Sequence, residues 1–166
     1  LHTADFLIAS LGDSLPAAAL PAVIFVLAAF TAFSTGSSWG AMGILLPLVL
    51  PLCWAIMGME GMTAGEDYLV LYSSVAGVLA GAVWGDHCSP ISDTTVMSSL
   101  SAGCDHIEHV RTQLPYALLA GAAALGAGTL PTSFGLPWWL GMLAAAAVTV
   151  VGLRLLGEPV EDYRPE

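Results

Sequence analysis

The side chains best suited to chemistry lie in one short run, Gly85-Asp86-His87-Cys88-Ser89-Pro90-Ile91-Ser92-Asp93-Thr94-Thr95. It holds two carboxylates, four hydroxyls and a proline, and it follows directly on the apolar stretch 68–84. Pro90 cannot donate a helical hydrogen bond, and it biases Ser89 away from helical dihedrals. A helix arriving from 68–84 should therefore break near 86–92, with Gly85 at the edge of the break, and resume at Ser92 or Asp93. A broken helix exposes carbonyls at one half-helix end and amides at the other. With the hydroxyls of Ser89, Ser92, Thr94 and Thr95 and a carboxylate, those carbonyls are the hard oxygen ligands a small cation needs. A second small polar run between hydrophobic stretches, Ser34-Thr35-Gly36-Ser37-Ser38-Trp39-Gly40, offers Thr35, Ser37 and Ser38 to the same coordination shell.

An aspartate within a membrane-spanning segment costs about 2.5–3.5 kcal/mol on insertion scales and marks a functional site by default. Asp93 is the stronger candidate on sequence. Its other role, capping the N-terminus of the resumed helix, is compatible with ion binding. Asp86, at the end of an apolar segment, could instead sit at the membrane interface. His87, Cys88, Cys104, His106 and His109 invite a zinc site, but their spacing matches no established ligand pattern, and no metal is expected. Asp105-His106-Ile107-Glu108-His109 reads as a polar turn on the cytoplasmic side.

The elements that must hold these groups are membrane spans. Only 16 of 166 residues are charged, 13 acids and 3 arginines with no lysine, and the mean hydropathy is +0.81. That excludes a nucleic-acid binder, which needs clustered basic residues, and a disordered acidic tail, which would lack apolar residues. Residues 14–59, 68–85 and 112–153 carry no charge, and a helix needs about 20 residues to cross a bilayer core. Five segments are expected, near 16–33, 41–57, 68–84, 116–131 and 137–156, forming a single transmembrane domain with the polar motif at 85–115. Arg111, Arg154 and Arg164 fall on one side of this arrangement, which the positive-inside rule makes cytoplasmic. Gly77, Gly81 and Gly85 form a stripe on which another helix backbone can approach closely, and Trp138-Trp139 read as interfacial anchors. Cys53, Cys88 and Cys104 do not suggest a disulfide framework. No basic region precedes the first apolar run, so a cleaved signal peptide is not expected, and a chain opening on Leu1 is expected to start inside a longer reading frame.

The run Gly85–Thr95, followed by Ser98-Ser99, Gly103-Cys104-Asp105-His106 and His109-Val110-Arg111-Thr112-Gln113-Leu114-Pro115-Tyr116, resembles the signature of NhaC-type sodium/proton antiporters. Thr35–Gly40, leading into Gly43-Ile44-Leu45-Leu46-Pro47, is similar to a second element of that family. The resemblance covers about residues 30–120. It implies a non-enzymatic secondary transporter of the wider ion-transporter superfamily, built from about a dozen spans as two inverted repeats whose broken helices or re-entrant hairpins meet near the midplane. This chain has room for about five spans, so it resembles one repeat, the C-terminal portion.

The fold class expected is thus an all-α integral membrane protein with broken-helix or re-entrant elements, multi-pass in a prokaryotic plasma membrane. Na+ and H+ would be cargo, with no resident cofactor, and would compete for Asp93 together with Asp86. The partners expected are the bilayer and either a missing N-terminal half or a partner chain, and a homo-oligomer is compatible. Two other readings stand beside this one. Relatives of the family exchange organic acids or amino acids, such as malate against lactate, and amides near Thr94 suit a carboxylate substrate. A membrane thiol or metal protein would instead be centred on His87, Cys88, Cys104 and His106.

Overall fold

The computed structural model describes residues 6, 15–62, 64–65 and 67–157; Arg164, the third of the orienting arginines, lies outside them. A 3-10 turn, Ala17–Ala19, leads into α1, Leu20–Thr35. The chain continues through α2 (Ser38–Met59), α3 (Tyr68–Cys88), a short α4 (Asp93–Ala102) and α5 (His106–Ala123). α5 runs on through a π-helical stretch, Ala124–Thr129, and one further turn, Leu130–Ser133, before α6 (Trp138–Leu156). No strand occurs among the described residues. Five helical stretches, Ala17–Thr35, Ser38–Met59, Tyr68–Cys88, His106–Ser133 and Trp138–Leu156, are long and apolar enough to span a membrane. The protein is an all-α membrane protein.

Local rules account for the ends of these elements. Gly36 ends α1 in the left-handed conformation (φ 65°), and the Ser37 side chain then caps α2 by accepting a bond from the Gly40 amide at 3.2 Å. At the opposite end of this hairpin, Glu60 Oε1 accepts the amide of Ala17 at 2.8 Å, which satisfies one of the orphan donors of a helix start. Pro47 and Pro51 lie inside α2 without ending it, because packed neighbours can compensate for a lost backbone bond in a membrane helix.

The closest packing in the molecule is between α1 and α3. A methyl group added at Gly77 would lie 2.8 Å from the Pro21 carbonyl oxygen; at Gly81 and Gly85 it would collide with the carbonyls of Phe25 and Ala29. The pairings 77 with 21, 81 with 25 and 85 with 29 make the two helices parallel, as two successive hairpin turns require. The other inward face of α3 carries Ser74, Val78, Ala82 and Asp86 at four-residue spacing, all buried. Val78 and Ala82 of this face share the core with Ala41, Leu45, Val49 and Cys53 of α2.

The structure departs from the sequence expectation at two places. Gly85 does not sit at the break: it lies within α3, which runs on to Cys88, and its missing side chain serves contact with Ala29. The stretch Asp105–His109 is no loop either, because Asp105 caps α5 by accepting the Glu108 amide at 3.0 Å, so the helix begins ten residues before the expected span. His106–Ser133 covers 28 residues, about 42 Å at 1.5 Å per residue, against a hydrocarbon core of about 30 Å. Its polar first turns extend past what hydropathy marks.

Gly81→Val tests the α1–α3 contact, since the added atoms meet backbone, which cannot rotate away. It should destabilise the detergent-solubilised protein by about 1–3 kcal/mol, read as a lower thermal midpoint. Gly43→Ala, where nothing lies within 4 Å, should leave that midpoint within error.

Candidate functional site

The register set by the glycine stripe brings the two polar runs of the sequence together. Just beyond Gly85 the chain leaves helical geometry at Ser89 (ψ 128°) and re-enters it at Asp93, with Ser92 (ψ 136°) as the N-cap. The break is therefore Ser89–Ser92, centred on Pro90. Ser89 is fully buried and donates its hydroxyl to the Phe33 carbonyl at 2.7 Å. Gly36 abuts the same segment: a Cβ there would sit 2.9 Å from the Ile91 carbonyl oxygen. The absence of a side chain and the positive φ are both needed at this one position. The turn between α1 and α2 thus packs directly on the break after α3.

The two aspartates occupy opposite settings. Asp86 is buried, and its Oδ1 has no hydrogen-bond partner. Asp93 is exposed, and its Oδ1 accepts the amide of the adjacent Thr94 at 2.8 Å. Leaving a buried acceptor unsatisfied costs about 1–3 kcal/mol, and more when it is charged. Asp86 is thus a carboxylate with unmet demand for a proton or a cation; on the same face of α3 the buried Ser74 hydroxyl also lacks a partner. Asp86 extends the α2-facing stripe of α3 to its last turn, beside the break.

The candidate hydroxyls differ in burial and in what they bond. Ser92 is buried with its Oγ 2.8 Å from Thr94 Oγ1, and Thr95 is buried with its hydroxyl 3.5 Å from the His87 carbonyl. Thr94 is exposed. Thr35, also exposed, is turned back onto the Thr31 carbonyl at 2.9 Å. Ser37 is engaged as a cap and Ser38 is half-buried. Ser89, Ser92, Thr95 and Asp86 are therefore each buried, while Asp93, Thr94 and Thr35 are exposed.

Two groups at the break come from α5. His106 places Nε2 2.6 Å from the Pro90 carbonyl oxygen and Nδ1 3.0 Å from Ser99 Oγ. Gln113 Nε2 donates to the His87 carbonyl at 2.9 Å. The carbonyl of His87, at the end of α3, and that of Pro90, inside the break, are thus held by side chains one helix away, an arrangement that spacing alone could not reveal. Trp84 ties α3 to α5 as well, through Nε1 to the Ala117 carbonyl at 2.7 Å. Among the described residues no cluster of three or more His, Cys, Asp or Glu side chains could hold a metal ion. Cys88 is buried and Cys104 exposed.

The sequence model of the Na+/H+ antiporter family matches residues 1–130, a range that includes both polar runs, the break and its α5 contacts. The chain belongs to the Na+/H+ antiporter family. It is 40% identical over 151 residues to an uncharacterized protein of Haemophilus influenzae, covering 91% of this chain and 27% of that protein. An uncharacterized Na(+)/H(+) antiporter of the same organism is 35% identical over 98 residues, covering 57% and 19% of the two chains. The malate-2H(+)/Na(+)-lactate antiporter of Bacillus subtilis is 32% identical over 90 residues, covering 54% and 17%. The chain thus spans about a quarter or less of the length of these relatives. No solved structure matches it.

The burial of the site can be read with a membrane-impermeant maleimide on the native cysteines. Cys104 should label, while Cys53 and Cys88 should stay protected until the protein is denatured. Rapid labelling of Cys88 in the folded protein would put the end of α3 in open water and contradict the site described.

Proposed function

We propose that this chain carries an ion- and proton-binding site of a secondary antiporter, a transporter and not an enzyme, that exchanges Na+ for H+ across a prokaryotic plasma membrane. The observation that carries the proposal is the buried Asp86, whose Oδ1 has no partner, beside a broken helix. A proton or a cation each relieves its unmet demand, and the two exclude one another. Competition for one carboxylate, exposed alternately to the two sides, couples the two gradients. The hydroxyls of Ser89, Ser92 and Thr95 supply further oxygen ligands. Asp93, Thr94, Thr35, Ser37 and Ser38 stand at the face where the rest of the whole protein, or a partner chain, completes the shell.

The test is Na+-dependent proton flux in everted vesicles containing the whole protein. Asp86→Asn should abolish exchange, a loss of at least about 100-fold for a residue that binds the transported ion itself. Asp93→Asn should weaken it through a higher apparent KM for Na+. Undiminished exchange in Asp86→Asn would overturn the assignment.

Similarity to the malate-2H(+)/Na(+)-lactate antiporter favours a second reading, in which the same scaffold also moves an organic acid whose carboxylate faces the amides at the start of α4. Flux stimulated by dicarboxylates, and silent with Na+ alone, would establish it in place of the first.

A further inference from the structure

Where α3 ends, its last carbonyls lose their helical partners. In a continuing helix the Ile91 amide would bond the His87 carbonyl; here it lies 3.4 Å from the Ser89 hydroxyl oxygen. The Asp86 carbonyl is met locally, by the Ser89 amide at 3.0 Å. The His87 carbonyl is met from α5, by Nε2 of the half-buried Gln113 at 2.9 Å. The Thr95 hydroxyl reaches the same oxygen only at 3.5 Å. A carbonyl can only accept, so the Gln113 amide must turn its NH2 toward His87.

Nearby, α3 returns a bond to α5. Trp84 Nε1 donates to the Ala117 carbonyl at 2.7 Å, one turn along α5 from Gln113. The indole also lies against Phe25 of α1, with centroids 5.8 Å apart, and against Gly121 of α5, where a Cβ would collide with it. Trp84 therefore seats α5 on α3 whether or not Gln113 bonds. Packing does not fix the last turn of α3 in the same way. A cavity of about 360 Å3 lies between α1, α3 and α5, and its lining includes Phe33, Gly85, Cys88 and Leu114. On that side the end of the helix has space to move, and the bond from Gln113 restrains it.

We propose that Gln113 is a positioning residue for the ion site: it replaces the helical bond that the break removes from His87, and so fixes the turn that carries Asp86. With the Asp86 and His87 carbonyls both held, the direction in which the Asp86 side chain leaves the backbone is set. Without the bond the turn frays, and the carboxylate holds its binding geometry for only a fraction of the time. Apparent affinity for Na+ then falls by that fraction, whereas the maximal rate, reached once Na+ saturates the site, is retained. This role rests on the antiporter reading of Asp86.

The experiment is a titration of Na+ against proton release from the whole protein in weakly buffered detergent. Gln113→Met keeps the length of the side chain and loses the donor, whereas Gln113→Lys keeps both. Gln113→Met should raise the Na+ concentration for half-maximal release about tenfold, as loss of an outer partner of a ligand does. Its maximal release and its thermal midpoint should match the native protein, and Gln113→Lys should restore most of the affinity. Hydrogen exchange at residues 85–88 should be faster in Gln113→Met and return toward native in Gln113→Lys. In vesicles the same split should appear, a higher apparent KM for Na+ with maximal flux unchanged. Gln113→Leu, a second variant without a donor, should behave as Gln113→Met does. Native Na+ affinity in both apolar variants, or a loss that Gln113→Lys does not repair, would overturn the proposal. A large fall in thermal midpoint in both would make the role structural and defeat it as well. Absence of Na+-coupled proton release from the native protein would sink the antiporter reading and this role together. Release from the native protein with an unshifted titration in Gln113→Met would sink this role alone.

Discussion

The approach of α1 to α3 is the constraint from which the rest of the structure follows. Lipid offers no hydrophobic drive for one apolar helix to pack on another, so close packing has to come from shape. Gly77, Gly81 and Gly85 provide it by leaving room for the carbonyls of Pro21, Phe25 and Ala29. Three contacts at one-turn intervals fix the depth of one helix against the other. The last of them, at Gly85, lies next to Asp86 and one turn before Ser89. A shift of one turn there would take Ser89 away from Phe33 and Gly36 away from Ile91, and the two polar runs would no longer meet.

The same register lets α3 separate its tasks by face. The glycine face is spent on backbone contact, and the face at 74, 78, 82 and 86 turns to α2 and carries a carboxylate into the core. Irregular backbone within a membrane protein survives only where its polar groups are shielded or satisfied. At this break polar groups are met from three directions: the Ser89 hydroxyl donates to the Phe33 carbonyl of α1, Thr95 of α4 reaches the His87 carbonyl, and His106 and Gln113 of α5 hold the Pro90 and His87 carbonyls. The Asp86 Oδ1 is left out of that network.

Much of this was legible in the sequence because the membrane simplifies the code. Charge-free runs located the spans, Pro90 located the break, and Gly77, Gly81 and Gly85 announced a close helix contact. Hydropathy misplaced the start of α5, because its first turns, Asp105–His109, are polar and its cap is a local hydrogen bond rather than an apolar periodicity. The sequence places Gly85 both at the edge of the break and on the helix-contact stripe; only the second holds, because its missing side chain makes room for the Ala29 backbone. Asp93 ranks above Asp86 on sequence because Asp86 ends an apolar segment and could sit at the membrane interface; burial, which puts Asp86 inside and Asp93 outside this chain, depends on which face of α3 meets α2. The contacts of His106 and Gln113 join residues 16 and 26 positions apart, and no local pattern encodes them.

The central claim is that protons and Na+ compete for the Asp86 carboxylate. Proton release on adding Na+ to the purified whole protein in weakly buffered detergent solution measures that competition without any need for transport. The account predicts release close to one proton per bound Na+ in the native protein and none in Asp86→Asn. Native-level release from Asp86→Asn would contradict it.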